Sequence, residues 1–228
     1  MNGERAARYR KLLYGRRKGP KLSERQQHLL DHLLPKYELN LRSGCDPRTY
    51  FSAPVEEVWL EVGFGGGEHL FWQAQHHSNV GIIGAEPYEN GIVKLLSQLE
   101  AVPLNNVRIY TDDARDILET FPEMSLTRAF ILFPDPWPKA RHHKRRFIQM
   151  EMLDQLACTM RPGAVLRFAS DDAAYVGWTL ERLKTHPAYE WTATCQADWK
   201  VRPPDWPSTR YETKELHGKP VFLTFRRV

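Results

Sequence analysis

The chain has 228 residues and a formal net charge of +4, which is enough length for one domain with a well-buried core. No run of about 18 apolar residues occurs, which argues against a membrane span, and the N-terminus lacks the apolar stretch of a secretory signal. Cys45, Cys158 and Cys195 lie far apart without metal-ligand spacing. We therefore expect free thiols, a reducing compartment such as the cytoplasm, and no metal site.

The charge is unevenly distributed along the chain. Residues 1–25 contain nine Lys or Arg and two acids, and residues 139–146 add five more cations, so the remainder is net negative. Segregated positive charge favours a polyanionic partner. Residues 1–50 also lack a core pattern, and we predict a basic, partly flexible arm there, ahead of a domain over residues 51–228.

From residue 58 onward, short apolar runs alternate with helical stretches. The runs are VWLEVGF, NVGIIGAE, VRIYTDD, RAFILFPD and AVLRFASD, and the helical stretches include ENGIVKLLSQLE, FIQMEMLDQLACTM and AAYVGWTLERLK. This alternation predicts an α/β fold with a mostly parallel sheet and helices on both faces. WTATCQ and VFLTFRRV follow, and we expect them to pair as an antiparallel edge. Seven strands with a reversed last strand resemble the Rossmann-like sheet of class I methyltransferases.

The first predicted strand ends in LEVGFGGGEHL, residues 60–70. Glycines at this place let the backbone turn sharply and approach a ligand. The pattern is G-x-G-x-G at Gly63, Gly65 and Gly67, which does not fit the G-x-G-x-x-G of nicotinamide sites. A glutamate at the start of the next helix also suits a diphosphate poorly. The cationic S-adenosylmethionine (SAM), which has no phosphate, suits this loop better.

Acidic residues follow the first three strands. Glu61 lies at the tip of the first strand, where it is a candidate partner for the ammonium group of SAM. Glu86 comes 23 residues after Gly63, near the offset at which an acid accepts from ribose hydroxyls. Asp113 is a candidate acceptor for the adenine amino group. The alternative is that such acids only solvate strand ends or cap helices, as Asp113 would before ARDIL.

The fourth predicted strand leads into FPDPWPKARHHKRR, residues 133–146. Three prolines restrain the residues before them and favour extended backbone at Phe133, Asp135 and Trp137. A carboxylate held this stiffly at the reactive edge of a parallel sheet can be aimed at a substrate. The cations and histidines that follow are candidate phosphate ligands: Lys139, Arg141, His142, His143, Lys144, Arg145 and Arg146. The alternative is a rigid turn with a solvated basic face.

This motif closely resembles the strand-four motif of bacterial tRNA (guanine-N7-)-methyltransferases, the TrmB family. The resemblance covers residues 55–228 and includes LEVGFGGGEHL, GAEP, DDA, ASDD and STRYETK. It implies SAM as cofactor, tRNA as partner and a variable-loop guanine as target. It implies SAM contacts by Glu61, Glu86, Asp113 and Asp135, and it implies that Asp135 is catalytic. The implied substrate-binding residues, besides the basic run, are Asp171, Thr209, Arg210, Tyr211 and Glu212.

Without the resemblance, two of these positions would be read as helix caps. Asp171 follows the fifth predicted strand, where a cap for AAYVGWTLE is ordinary, and Thr209-x-x-Glu212 has the form of a capping box. Both roles are compatible, because a helix start beside a cleft presents donors and a carboxylate to a base.

Two competing functions stay open at this point. One is SAM-dependent methylation of an exocyclic amino group in RNA, because D-P-W is similar to the [DN]-P-P-[FY] motif of such enzymes. The other is a non-catalytic RNA-binding module on a methyltransferase scaffold. The sequence also leaves open which tRNAs are chosen and whether the protein is a monomer or a homodimer.

Overall fold

The computed structural model describes residues 15–210, 212–214 and 218–228. Within these residues, seven strands form one sheet in the order β3-β2-β1-β4-β5-β7-β6. The strands are β1 (Glu57–Val62), β2 (Val80–Ala85), β3 (Val107–Tyr110), β4 (Leu126–Leu132), β5 (Met160–Ser170), β6 (Tyr189–Trp191) and β7 (Val221–Arg227). This confirms the predicted seven-stranded Rossmann-like sheet.

The strand directions place the carboxyl ends of β1, β2 and β4 together. β1 lies between β2 and β4 and runs parallel to both. β7 runs antiparallel to β5 and to β6, and β6 forms the edge of the sheet. Since β1 is the strand at which the order reverses, ligands of such a sheet are expected at its carboxyl end.

Helices cover both faces of the sheet and bury a separate core on each. The α-helices are α1 (Glu24–His28), α2 (Leu34–Tyr37), α3 (Glu68–His76), α4 (Glu89–Ala101), α5 (Ala114–Thr120), α6 (Met150–Thr159), α7 (Ala173–Thr185) and α8 (Ala197–Lys200). On one face, α5, α6 and α7 pack through residues such as Ile117, Leu153 and Leu183. On the other, α3 and α4 pack through Leu70 and Leu95.

The sixth strand lies earlier in the chain than expected. The sequence predicts a strand over WTATCQ, residues 191–196, but β6 ends at Trp191. The carboxylate of Asp198 accepts hydrogen bonds from the backbone N–H groups of Thr194 and Cys195, at 2.7 and 2.9 Å. A local side-chain acceptor of this kind competes with strand pairing and turns the chain.

Residues 23–39 pack onto the sheet. Ser23 and Gln26 form a capping box at the start of α1, and Leu29 is buried in the core. After α2 the chain pairs with β3, where the N–H of Leu39 donates to the carbonyl of Ile109 at 2.8 Å. Residues 1–14 of the predicted basic arm lie outside the described residues, and the division at residue 50 stays a prediction.

A short segment ahead of α1 crosses the N-terminal end of α4. The N–H of Gly19 donates to Asn90 Oδ1 at 2.9 Å, and the carbonyl of Arg17 accepts from Glu89 N at 3.0 Å. The Arg17 guanidinium also forms an ion pair with Asp112. The basic segment is thereby fixed beside the acids that follow β2 and β3.

Among the residues that the structure describes, no helix is long and apolar enough to cross a membrane.

Candidate functional site

A pocket lies at the carboxyl ends of β1 and β4. Three parts of the chain line it: the loop from β1 into α3, the end of β4, and the C-terminal segment before β7. The lining residues are Glu61, Gly63, Phe64, Glu68, His69, Leu132, Phe133 and Thr209. The structure therefore brings predicted cofactor residues and one predicted substrate residue to the same cleft.

The glycine loop has the backbone that its sequence predicts. Gly63, Gly65 and Gly67 all have positive φ angles, of 69°, 56° and 76°, a region in which other residues are strained. The start of α4 approaches this loop closely. A Cβ atom at Gly91 would lie 2.4 Å from the carbonyl oxygen of Gly65. The lack of a side chain at Gly91 thus allows the glycine loop to pack closely against α4.

Glu86 follows β2 and holds the glycine loop in place. Its carboxylate accepts hydrogen bonds from the N–H of Gly65 at 2.7 Å and from the N–H of Tyr88 at 2.9 Å. The residue is buried. Burial raises the pKa of its carboxyl to about 7, against the lowering effect of these two hydrogen bonds. The site thus contains an acid whose pKa lies near neutral pH.

This raised pKa predicts a pH-dependent stability of the ligand-free protein. Between about pH 4.5 and 7 the native Glu86 keeps a proton that the unfolded chain has lost, so stability falls as pH rises through this window. Below it both states are protonated, and above it both are ionised. We expect the free energy of unfolding of the wild type to fall by about 3 kcal/mol across this window, and that of Glu86→Gln to lack this fall. Urea unfolding from pH 5 to 8 would measure both. An equal pH dependence of the unfolding free energy in both proteins would contradict a raised pKa of Glu86.

Asp113 caps α5 and is already engaged. Its carboxylate accepts from the N–H of Arg115 at 3.0 Å and pairs with the Arg115 guanidinium. The structure therefore shows Asp113 in the helix-capping role that the sequence analysis gave as the alternative. Arg115 contacts both carboxylate oxygens, Oδ1 through its backbone N–H and Nε, and Oδ2 through Nε and a terminal nitrogen. The adenine contact of Asp113 stays a prediction.

Glu61 lies at the end of β1 and is 2% exposed. Its Oε2 is 2.6 Å from Nδ1 of His69, in the first turn of α3. His69, Glu68 and Phe64 also line the pocket, and none of them is among the predicted ligand-binding residues. Their position within LEVGFGGGEHL, directly after the glycine loop, was the signal that could have identified them.

The loop carrying Asp135 differs from its predicted backbone. Proline is expected to keep Phe133 and Trp137 extended, yet their φ angles are 49° and 45°, in the left-handed region. Non-glycine residues held there cost on the order of 1–3 kcal/mol and persist only when their surroundings fix them. Here the N–H of Phe133 donates to the carbonyl of Ala169 on β5 at 2.8 Å. The loop is therefore anchored to the sheet just ahead of the acid.

Asp135 stands between these two residues, two positions after Phe133, which lines the pocket. Its side chain reaches solvent, and the surrounding protein partly desolvates it, which raises the pKa of its carboxyl above the usual range. Asp135 also contributes to raising the pKa of Glu86, and it acts in the same direction on Tyr175. The acid thus lies close enough to the cofactor acids to share their electrostatic field.

The basic run after Asp135 forms a 3₁₀-helix over Ala140–Arg145. Lys139, directly before this helix, and Arg141 and Lys144 within it are exposed. Arg145 lies over the ring of Trp137, with 4.9 Å between its guanidinium carbon and the ring centroid. The outward cations are therefore presented to solvent beside Asp135. His142 and His143 are partly exposed in the same turn.

Arg146, which is predicted to be a phosphate ligand, is buried in the structure. It is 2% exposed, and its guanidinium lies between the rings of Tyr175 and Trp178 on α7, 4.9 Å from each centroid. Its Nε donates to the carbonyl of Pro136 at 2.9 Å. Burial makes contact with a phosphate unfavourable in this conformation. Arg146 instead anchors the Asp135 loop to α7.

The remaining predicted substrate residues fall on two segments. Asp171 follows β5, but the cap of α7 is its neighbour Asp172, which accepts from the N–H of Tyr175 at 2.7 Å. The Thr209 hydroxyl accepts from the N–H of Glu212 at 3.3 Å, as a capping box predicts, and it opens a 3₁₀-helix over Glu212–Lys214. Arg210 is exposed, and Tyr211 lies outside the described residues.

The described part of the chain contains no cluster of three or more His, Cys, Asp or Glu side chains that could hold a metal ion. The three cysteines are free.

Comparison with known proteins identifies relatives over nearly the whole chain. A family model described as "Putative methyltransferase" matches residues 55–223. A tRNA (guanine-N(7)-)-methyltransferase of Rhodospirillum rubrum is 48% identical, covering 94% of this chain and 87% of the relative. One of Rhizobium meliloti is 45% identical and covers all of both chains.

Solved structures are similar in fold at low sequence identity. The 16S rRNA methyltransferase KamB is 16% identical with a TM-score of 0.56, covering 83% of this chain and 97% of that one. TrmN from Thermus thermophilus is 14% identical with a TM-score of 0.55, covering 76% of this chain and 45% of that one. These two structures support the class I methyltransferase fold.

Proposed function

We infer that this chain transfers a methyl group from SAM to N7 of a guanine in tRNA, because it belongs to the family of tRNA (guanine-N(7)-)-methyltransferases. The observation that carries this inference is one cleft with two sides. On one side is a left-handed glycine loop held by Glu86. On the other is Asp135, followed by exposed cations.

The residues on the cofactor side fit SAM. Glu61 would receive its ammonium group, Glu86 the ribose hydroxyls and Asp113 the adenine amino group. The loop of Gly63, Gly65 and Gly67 leaves the backbone open to close approach. The acidic character of this side suits a cationic ligand and opposes a diphosphate. SAM supplies an electrophilic methyl group on a positively charged sulfur.

The chemistry requires positioning more than proton transfer. Guanine N7 has a lone pair in the ring plane and no proton to lose, so no general base is needed. The methyl–sulfur bond breaks as the carbon–N7 bond forms, and positive charge moves from sulfur to the purine. Asp135, held in its anchored loop, would stabilise the forming purine cation and hold the base in line with the methyl group. Its carboxylate would also accept from a guanine N–H, which favours guanine over adenine.

On the tRNA side, the target that we propose is a guanine of the variable loop, as the resemblance of the sequence implies. Lys139 and the outward cations after it would contact phosphates around that guanine. Asp171 and the segment Thr209–Glu212 would contact the base itself, and Thr209 already lines the same pocket as Glu61. We place the enzyme in the cytoplasm, where tRNA is found and where its free cysteines stay reduced.

The outward cations predict a specific salt dependence of tRNA binding. We expect each single replacement by Ala, at Lys139, Arg141 or Lys144, to reduce the magnitude of the slope of log K against log salt concentration. The reduction should be about 0.7–0.9 for every phosphate contact that the variant loses. Filter binding at several salt concentrations would measure it. Arg226→Ala is the matched control, because Arg226 pairs with Glu190 at the end of the strands that lies away from the proposed tRNA-binding surface. An equal change of slope in the control would contradict the proposed interface.

One experiment tests the proposed function directly. The purified protein is incubated with tRNA and SAM labelled in the methyl group, and the tRNA is digested to nucleosides. We expect label in 7-methylguanosine, whose fixed positive charge makes it prone to alkaline ring opening. Label on an exocyclic amino group would favour the competing methylation. SAM binding without transfer to any tRNA would favour a non-catalytic module.

A further inference from the structure

His69 is a buried side chain with no part in the chemistry described so far. It is 2% exposed, and its Nδ1 is 2.6 Å from Oε2 of Glu61. Its ring packs edge-on against Phe130 and Trp206, with centroids 4.6 and 5.4 Å away. The two aromatic contacts fix the plane of the imidazole, so the direction of its bond to Glu61 is fixed as well.

The partner on the other ring nitrogen determines where the imidazole proton lies. Nε2 of Gln73, one turn further along α3, is 3.1 Å from Nε2 of His69 and 2.8 Å from the carbonyl oxygen of Asp205. The amide must point its nitrogen at that carbonyl, because a flipped amide would bring two oxygens to 2.8 Å. Its second hydrogen then faces His69, whose Nε2 must accept. The imidazole proton is therefore on Nδ1 and is donated to Glu61.

This arrangement leaves one oxygen of Glu61 for a ligand. Oε2 is occupied by His69, while Oε1 accepts no hydrogen bond among the described residues. Glu61 also lines the pocket. A second imidazole proton would point at the amide hydrogen of Gln73, so this network favours a neutral His69 that donates to Glu61 without cancelling its charge.

The same network reaches the segment on the substrate side. Asp205, whose carbonyl accepts from Gln73, has its carboxylate bound by both terminal nitrogens of Arg167 at 2.9 and 2.8 Å. This fixes the backbone of Asp205 to β5. Thr209, four residues later, lines the pocket together with Glu61. Buried side chains thus connect the acid of the cofactor side with the base-binding segment.

We propose that His69 is a positioning residue for the methyl transfer: through its Nδ1–H it holds Glu61 with the free oxygen directed at the ammonium group of SAM, and Gln73 fixes its tautomer. This rests on the proposed function, in which Glu61 receives that ammonium. A hydrogen bond to a charged group that fixes orientation in this way contributes to ligand affinity.

Two amide variants separate the roles of the two ring nitrogens. In His69→Asn the amide nitrogen can occupy the place of Nδ1 and still donate to Glu61. In His69→Gln the longer amide reaches the place of Nε2 and leaves Glu61 without its donor. We expect His69→Gln to lose about tenfold more SAM affinity than His69→Asn, measured by titration calorimetry on variants with matched thermal unfolding. The loss should appear in KM for SAM more than in kcat at saturating SAM.

The outcomes distinguish this proposal from the proposed function. Equal SAM affinities of the two amide variants would overturn the positioning role, provided that the wild type binds SAM and Glu61→Gln weakens the binding. A wild type that does not bind SAM, or a Glu61→Gln variant with full affinity, would instead overturn the function assigned to this cleft.

A measurement on the wild-type protein keeps the proposal testable if the variants fail to fold. With ¹⁵N-labelled histidine, the His69 ring should show a protonated Nδ1 and an unprotonated Nε2. A wild-type ring protonated on Nε2 would overturn the proposal.

Discussion

Asp135→Asn is expected to lower the single-turnover rate of methylation by about a hundredfold or more, the scale seen when one preorganised electrostatic partner is removed. The substitution keeps the shape of the side chain, removes its charge and replaces one acceptor oxygen with a donor. If the carboxylate stabilises the purine cation as it forms, the loss must appear in the chemical step. The rate is measured at saturating SAM and tRNA, which separates chemistry from binding.

Glu151→Gln is the matched control for this variant. Glu151 is an exposed acid on α6, and its loss changes the net charge by the same amount outside the cleft. Affinity for tRNA should be retained in Asp135→Asn, because the proposed phosphate contacts of Lys139, Arg141 and Lys144 are unchanged. A near-normal single-turnover rate would show that Asp135 only binds ligands or shapes the turn.

Gly65→Val is expected to abolish detectable SAM binding, which corresponds to an affinity loss of about a hundredfold or more in calorimetry. Valine is strained at the φ angle of 56° found here. Strain at this residue would also displace the N–H that donates to Glu86. The side chain would fill space where the backbone must meet the ligand.

Gly163→Val separates this effect from a general loss of stability. Gly163 lies near the beginning of β5, away from the cleft, and has a φ angle of 84°, and a Cβ atom added there would meet no other atom within 4 Å. It should therefore suffer similar backbone strain without touching the cofactor side. Undiminished SAM affinity in a folded Gly65→Val protein would mean that the cofactor site is elsewhere.

Features encoded by local spacing could be predicted from the sequence. The left-handed loop follows from glycine at positions 63, 65 and 67, because few other residues adopt that backbone. The parallel sheet follows from buried runs that alternate with helices. Glu86 and Asp113 could be placed at strand ends for the same reason, although their contacts with Gly65 and Arg115 could not.

Features that depend on tertiary contacts could not be predicted. Arg146 has the same appearance in the sequence as its neighbour Arg145, and only the aromatic rings of α7 distinguish the buried cation from the others. Proline favours extended backbone at Phe133 and Trp137, yet packing imposes the left-handed region. The position of His69 directly after the glycine loop indicates that it lies near the pocket, but it does not predict that the ring turns inward onto β1 and contacts Glu61.

The burial of Arg146 has a consequence for how fast tRNA is captured. Because contacts within the protein hold the loop of Asp135 against Tyr175 and Trp178 through the guanidinium, we expect no ordering step of this loop to precede docking. Encounter should then be governed by long-range attraction between phosphates and the outward cations. The observed association rate should rise linearly with tRNA concentration and slow steeply with added salt, while the dissociation rate changes far less.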